Sequence, residues 1–511
     1  MPKEPEICFS ESERTMIIVR TDQDDFTYDI HSLVKAFYPA EDVIVLPPGK
    51  EAPVRQRQTE SAAEVSRTMD VAIPQGLPDR KRTKDALKQG LYQRLVAETG
   101  RELPWGSLTG IRPVRIPMMM LAEGRTHAEI SDHMRQTYFC SEKKARLAIE
   151  IAERERSILQ KADYTAGYSL YVGIPFCPTT CLYCSFASYP VKKCHDQIAP
   201  YLSALFRELT ETAALFAGRK LYTVYLGGGT PTALEPVELE QVISKIKSTF
   251  DLSSCREFTV EAGRPDSITE EKLAVLRAYG VDRISVNPQT FSQKTLDLIG
   301  RNHTVAQTEE AYALARRMGF SNINMDLILG LPGENTEDVS HTMERIRALS
   351  PDDVTVHSLA IKRASRLKIE MDSYRQYQME NTSEQMEIAE SVCREIGRTP
   401  YYLYRQKNMA GNFENVGYAA PGKAGIYNIL MMEEVGDIAA CGAGTVSKRV
   451  FPDGREEGTL TSSSEVAQSR DGLPRAKLEG RIERCDTVKD LDQYIARIDE
   501  MVERKRKLFE E

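Results

Sequence analysis

Between residues 167 and 360, short runs rich in apolar and β-branched residues alternate with longer stretches of helical spacing. "YSLYVGI", "LYTVYLG", "EFTVEAG", "DRISVNP", "INMDLIL" and "DVTVHSL" read as six strands. Stretches such as "VELEQVISKIKSTF" and "TVAQTEEAYALARRMGF" lie between them and gather apolar residues on one helical face. Strand, helix, strand in that order predicts right-handed βαβ units. Repetition of the unit predicts a parallel sheet, or a barrel of fewer than eight strands. In such folds the chemistry sits on the loops after the carboxyl ends of the strands.

The texture differs on either side. Residues 1–165 predict an accessory α/β domain. "MIIVR" and "DVIVLP" read as strands, "TKDALKQGLYQRLVAETG" as a helix ending at glycine, and "EKKARLAIEIAERERSILQ" as a connecting helix. "LPWGSLTGIRP" carries the single tryptophan, Trp105. Residues 366–455 predict an α+β region, with a helix at "SEQMEIAESVCREIG" and β-like runs at "YYLYRQ" and "GIYNILMM". Residues 456–511 predict a helical tail, "DLDQYIARIDEMVERKRKLFEE". The expected fold class is therefore α/β: a partial (β/α)6 barrel over 166–365 with an N-terminal α/β domain and a C-terminal α+β extension.

Composition narrows the function. The 511 residues are 41% hydrophobic and 28% charged, ordinary values for a soluble globular protein. A net charge of −8 argues against a nucleic-acid or anionic-membrane binder. No apolar run reaches membrane-spanning length, and the opening "MPKEPEICFSESERTMIIVR" lacks the pattern of a secretory signal. Seven of the ten cysteines (Cys8, Cys140, Cys194, Cys255, Cys393, Cys441 and Cys485) lie apart from the remaining three. They make no disulfide framework, and a reducing cytoplasm is expected.

The other three stand in "FCPTTCLYCSF": Cys177, Cys181 and Cys184, separated by three residues and then two. Cysteines pack well in cores. Zinc usually wants four ligands in two pairs, and nothing pairs the nearby Cys194 and His195. The better fit is a cube of iron and sulfide, for which thiolates are the ligands. A three-thiolate cube leaves one iron open to a small molecule.

Further polar residues fall at strand ends. "YLGGGTPT" brings Gly227, Gly228, Gly229 and Thr230, "TVEAGRPD" Glu261, "RISVNPQTF" Gln289, "LIGRNHT" Arg301, and "NMDLILGLPGE" Asp326. Glycines there let a ligand approach the backbone, and Arg301 offers a fork for a carboxylate. Taken singly, a glycine run is also a tight turn and a strand-end glutamate is commonly solvated. In order, they mark one strand end after another.

The C-x3-C-x2-C spacing, with Tyr183 before the last cysteine, resembles the radical S-adenosylmethionine (SAM) superfamily. "YVGIPFC", "GGGTPT", "GRNHT" and "MDLILGLPGE" resemble, within it, the oxygen-independent coproporphyrinogen III dehydrogenases and their relatives, including haem chaperones. The N-terminal extension resembles that of a longer variant. The resemblance implies a [4Fe-4S] cluster on Cys177, Cys181 and Cys184 whose open iron binds SAM. It implies reductive cleavage of SAM and hydrogen abstraction by the resulting 5′-deoxyadenosyl radical. Tyr171 would lie against SAM. Gly228, Gly229, Thr230 and Glu261 would contact it. Gln289, Arg301 and Asp326 would contact a second SAM or the ribose of the first.

The substrate so implied is a porphyrinogen with propionates, which call for cations. "HSLAIKRASRLK" supplies Lys362, Arg363, Arg366 and Lys368, "YYLYRQKNMAGN" supplies Arg405 and Lys407, and Lys423 follows. Charge runs are more often solvated faces; of these residues, Arg363 and Arg405 are the leading substrate contacts. His357, at the sixth strand end, is a candidate proton donor or a satisfied polar group. An electron donor such as flavodoxin or ferredoxin, and a monomer, complete the expectation. Two positions depart from the best-studied type. It has histidine two residues after the tyrosine, where this chain has Gly173, and a further cysteine near Phe186. Both features are linked to decarboxylation. The chaperone branch carries a histidine-containing haem motif where this chain reads "AGIYNILMM", and no histidine follows His357.

Overall fold

The chain divides into two compact units: residues 1–111 with 131–145, and residues 112–130 with 146–511. The structure is a computed structural model and describes residues 15–39, 41–50, 64–374, 376–406, 409–451 and 481–510. Cys8 and Lys407 lie outside the described residues.

In the first unit three parallel strands, β1 (Thr15–Thr21), β2 (Asp42–Leu46) and β3 (Glu64–Val71), lie in the order β2-β1-β3. Central β1 buries Ile17 and Val19, against which helix Thr27–Phe37 packs Ile30, Leu33 and Val34. Helix Arg80–Thr99 adds Leu87, Leu91 and Leu95. It starts where Asp79 accepts the Arg82 N–H and stops at Gly100, whose φ of 66° closes the last turn. The sequence pattern did not reveal β3. An edge strand that buries only Met69 and Val71 carries a faint alternation.

The second unit is built on one sheet of eleven strands. Its first strand is β4 (Gly167–Ile174). Two-residue strands β5 (Phe176–Cys177) and β6 (Tyr189–Pro190) pair only with each other and bracket the cysteine loop. Next come β7 (Lys220–Gly228), β8 (Glu257–Glu261), β9 (Arg283–Ser285), β10 (Ile323–Leu329) and β11 (Asp353–Ser358). From β4 through β7 to β11 all neighbours run parallel, in sequence order. These are the six strands expected from the sequence. β12 (Thr399–Tyr404) and β13 (Asn415–Ala419) extend the sheet antiparallel beyond β11. On the other edge β14 (Asp437–Cys441) pairs parallel with β4, and β15 (Val446–Phe451) and β16 (Arg481–Asp486) follow antiparallel.

Polar side chains gather where these strands begin. Asp353 Oδ2 accepts from Arg283 Nη2 at 2.7 Å and from the Tyr401 hydroxyl at 2.8 Å. Glu257 accepts the N–H groups of Ile426 and Tyr427, at 2.5 and 3.3 Å. Those are the first two residues of helix Ile426–Glu433, so a buried carboxylate stabilises the positive end of a helix. "GIYNILMM" is thus mostly helix, where the apolar run reads as β. Tyr427, Ile429, Leu430 and Glu433 are its buried positions, and leucine, methionine and glutamate are good helix formers.

Two boundaries differ from expectation. The first unit does not run to residue 165. Arg112 pairs with Glu434 at 2.5 Å, and Arg154 Nη2 donates to the Ala419 carbonyl at 3.0 Å, placing these segments in the second unit. Nor is the described part of the tail, 481–510, helix alone: it holds β16 and two helices, Leu491–Ala496 and Ile498–Glu510. Buried Lys505 fastens the second of these, donating to Glu208 Oε1 at 2.8 Å, Thr212 Oγ1 at 3.0 Å and Cys441 Sγ at 3.2 Å. Among the described residues no helix is long and apolar enough to cross a membrane.

Candidate active site

The cysteine loop leaves β4 at Pro175 and is pinned at several points. Leu182 N–H donates to Ile299 O at 2.9 Å, Thr179 Oγ1 donates to Gly300 O at 3.1 Å, and Leu367 N–H donates to Leu182 O at 2.9 Å. Cys177 Sγ lies 3.5 Å from Thr230 Oγ1 and Cys181 Sγ 3.7 Å from Arg264 Nη1. Burial pushes the Cys177 thiol up to about 12, against the pull of Thr230, and Cys184 to about 11, against a backbone bond from Phe186. The neighbouring cysteines raise both further.

The glycine run packs directly on this loop. Gly229 N–H donates to Ile174 O at 2.8 Å and Thr230 N–H to Phe176 O at 2.7 Å. A Cβ on Gly229 would lie 2.6 Å from Phe176 O, so no other residue fits between β7 and the loop. Beside it Glu261, the last residue of β8, accepts a 2.5 Å hydrogen bond from the Tyr225 hydroxyl. Burial lifts its carboxyl to about 7; Tyr225 pulls it down and Asp326 adds to the rise. The Tyr225 ring also packs face to face with Tyr171 (centroids 5.9 Å) and Tyr427 (4.6 Å).

Asp326 in β10 takes hydrogen bonds from Asn287 at 2.8 Å and Asn324 at 2.7 Å, with His357 Nε2 at 3.8 Å. Burial works to raise its carboxyl, but His357, Asn324 and Thr355 outweigh it, and Asp326 stays below the ordinary carboxylate value. His357 Nδ1 is 3.4 Å from the Tyr404 hydroxyl. Gln289 is buried with a left-handed φ of 68°, and its N–H and C=O bond Asp326 O and Ile328 N–H, each at 2.9 Å. Tyr171, Glu261, Asp326 and His357 thus come from β4, β8, β10 and β11 of one parallel sheet.

Several of the expected contact residues have protein partners of their own. Buried Arg301 donates to Gly263 O at 3.0 Å, Asn287 O at 2.6 Å and the Tyr183 hydroxyl at 3.1 Å, which leaves only Nε without a partner. Arg405 is 4% exposed and braces its own loop through Asn412 O at 3.0 Å, Asn412 Oδ1 at 2.5 Å and Phe413 O at 3.4 Å. Arg366 pairs with Glu370, and Lys423 lies beside Ser321, ahead of β10 rather than after it. Arg363 is exposed. Sequence reasoning missed Arg264, Tyr225 and Tyr427. All three stand in quoted stretches, but only packing separates them from surface residues.

Comparison with known proteins accounts for this arrangement. The model of the radical SAM superfamily matches residues 171–346. The oxygen-independent coproporphyrinogen-III oxidase-like protein HemZ of Bacillus subtilis is 41% identical over 385 residues, 75% of this chain and 76% of HemZ. The heme chaperone HemW of the same organism is 36% identical over 38% of this chain and 51% of its own length. The oxygen-independent coproporphyrinogen III oxidase of Escherichia coli is 36% identical over 38% of this chain and 42% of its own length.

A [4Fe-4S] cluster and SAM are the cofactors of the superfamily, and the residues fit them. Burial raises the Cys177 and Cys184 thiols, an effect that iron ligation offsets. A glycine cradle too tight for a side chain adjoins the loop, and two carboxyls, Glu261 at the end of β8 and Asp326 within β10, stand on strands separated by β9. The cysteine loop, its glycine neighbour and the resemblance along three-quarters of the chain all lead to one conclusion: this chain belongs to the radical SAM superfamily, in its family of oxygen-independent coproporphyrinogen-III oxidase-like proteins.

Proposed function

We propose that this chain converts propionate side chains of coproporphyrinogen III to vinyl groups, giving protoporphyrinogen IX. The observation that carries the reading is the set of groups that the parallel strands bring with the cysteine loop into one unit, Tyr171, Glu261, Asp326 and His357, in a chain 41% identical to a coproporphyrinogen-III oxidase-like protein. The bound cluster and SAM supply one-electron reduction and hydrogen-atom abstraction. Each propionate would give one hydrogen atom to the deoxyadenosyl radical and then release carbon dioxide, its remaining electron passing to an external one-electron acceptor.

The residues of this chain bind and orient. Gly228, Gly229 and Thr230 present backbone groups to SAM beside the cysteines, and Tyr171 closes one side of the pocket. Glu261 and Asp326 accept hydrogen bonds from ribose hydroxyls, with Gln289 fixed beside Asp326 by its backbone bonds. Arg301 holds the turns that carry these groups. His357, between Asp326 and Tyr404, holds a proton at Nε2 or passes it along that line. Exposed Arg363 is the substrate-facing cation, free to pair a propionate bidentately. Arg405 shapes its loop. A flavodoxin- or ferredoxin-type donor, a monomeric state and a cytoplasmic setting belong to the same reading.

Haem delivery is less well supported. The stretch comparable to the chaperone motif is a helix whose Tyr427, Ile429 and Leu430 are buried, and no histidine follows His357.

The test is anaerobic turnover of the reconstituted protein with reductant, SAM and coproporphyrinogen III, following 5′-deoxyadenosine and porphyrin products by chromatography. Vinyl product formed with deoxyadenosine supports the proposal. Deoxyadenosine formed while the porphyrinogen stays intact overturns the substrate and points to another tetrapyrrole.

A further inference from the structure

Arg264 sits in the turn after β8, just ahead of the 3-10 helix Pro265–Ser267. Its side chain is 4% exposed. One edge of the guanidinium grips Asp266, with Nε to Oδ1 at 2.9 Å and Nη2 to Oδ2 at 2.8 Å. The third nitrogen, Nη1, lies on the opposite edge and reaches the cysteine loop. It donates to Thr179 Oγ1 at 3.0 Å, Thr179 O at 3.2 Å and Cys181 Sγ at 3.7 Å. Thr179 lies between the first two cysteines, so one cation holds the loop and touches a cluster-ligating sulfur.

We propose that Arg264 is a positioning residue for the [4Fe-4S] cluster: it fixes the Cys177–Cys181 segment, and its charge raises the reduction potential of the cluster. Reduction adds one negative charge to a group that already carries three thiolates. A cation nearby therefore favours the reduced form over the oxidised one, the more so where water is excluded. Hydrogen bonds to cluster sulfurs act in the same direction. Asp266 aims the guanidinium and opposes it with a negative charge. Arg301, on Tyr183, braces the second half of the same loop. His303, buried near both arginines, is pushed down to about 3, by burial first and then by the two guanidiniums. It is neutral, so the two arginines are the cations of this turn.

The inference rests on the cluster assignment, and iron and sulfide analysis of the unaltered reconstituted protein tests that separately. The experiment is a potentiometric titration of the holoprotein followed by electron paramagnetic resonance. Arg264→Gln should move the midpoint to more negative values, with about a tenfold loss in the reduction equilibrium, or 59 mV for one electron. Arg264→Lys keeps the charge without the fork. It should titrate near the unaltered protein but lose iron faster to a chelator. Asp266→Asn removes the opposing anion and should move the midpoint the other way. If Arg264→Gln retains too little cluster to titrate, the opposite-signed shift in Asp266→Asn decides. An Arg264→Gln protein with full iron content and an unmoved midpoint overturns the proposal. So does an Asp266→Asn midpoint that is unmoved or shifted to more negative values.

Discussion

The two ends of the parallel strands in the second unit bury the same kinds of group to opposite effect. Where the strands begin, Asp353 meets Arg283 and Tyr401, and Glu257 meets the start of a helix. Each carboxylate there has a cation or a pair of N–H groups committed to it. Towards their ends, Glu261 takes one hydrogen bond among the described residues, from the Tyr225 hydroxyl, and Asp326 has amides and a histidine at 3.8 Å. The first end ties its carboxylates to fixed partners and leaves Asp353 Oδ1 without one, and burial still lifts both carboxyls above their ordinary values. At the second, Glu261 keeps polar capacity for a ligand next to the glycine run on the cysteine loop. Committed partners, rather than the presence of charge, therefore separate scaffold from site.

Substitutions can break this contrast. The largest effect is expected at the cysteine loop. Replacing Cys177, Cys181 and Cys184 together by alanine should give colourless protein with no bound iron or sulfide after reconstitution; retention of both would overturn the cluster assignment. At the first end, Arg283→Met leaves Asp353 buried without its cation and should cost about 3–5 kcal/mol in denaturant unfolding. A cost below about 1 kcal/mol would mean that the ion pair is not what holds that end.

Glu261→Gln probes the other end through pH. The Glu261 carboxyl in the folded chain, near 7, lies above its ordinary 4.5, so the native state takes up protons as pH falls. The unaltered chain should lose stability as pH rises from about 4.5 to 7 and carry the full penalty, about 3 kcal/mol, above that. Glu261→Gln should match the parent at pH 4.5 and exceed its stability at pH 8. Its SAM affinity should fall about tenfold by equilibrium binding. An equal stability difference at both pH values would place Glu261 in a solvated setting.

The smallest effects sharpen the assignment of the basic loops. Arg363→Ala should leave unfolding within about 0.5 kcal/mol of the parent while raising KM for the porphyrinogen. Arg405→Ala should cost about 1–3 kcal/mol, because it strips a buried loop of its brace. A reversal of those two patterns would exchange their roles.

Much of this was legible in the sequence. The six strands announce themselves through β-branched runs, and the cysteines through spacing that few other functions require. Glu261 and Asp326 stand out as candidates because the one ends and the other lies within a strand that the sequence pattern marks. What stayed hidden depends on burial. Arg264, followed by proline and aspartate, reads like a solvated surface pair until the cysteine loop covers it. Arg405, in a basic loop, reads like a ligand contact until its own loop folds back on it. "GIYNILMM" is apolar enough for either helix or strand, and the choice falls to Glu257, more than 160 residues earlier, which caps the helix. β3 escaped because an edge strand buries little.

Gly173 carries one more consequence. A Cβ there would lie 2.6 Å from Cγ2 of Thr445. Thr445 cannot simply turn aside, since its hydroxyl donates to Gly442 O at 2.8 Å and its N–H to Thr487 Oγ1 at 2.9 Å. Glycine at 173 and threonine at 445 are thus one joint choice. A lineage, or an engineer, seeking a histidine beside Tyr171 must first remake the turn between β14 and β15. The two positions should change together or not at all.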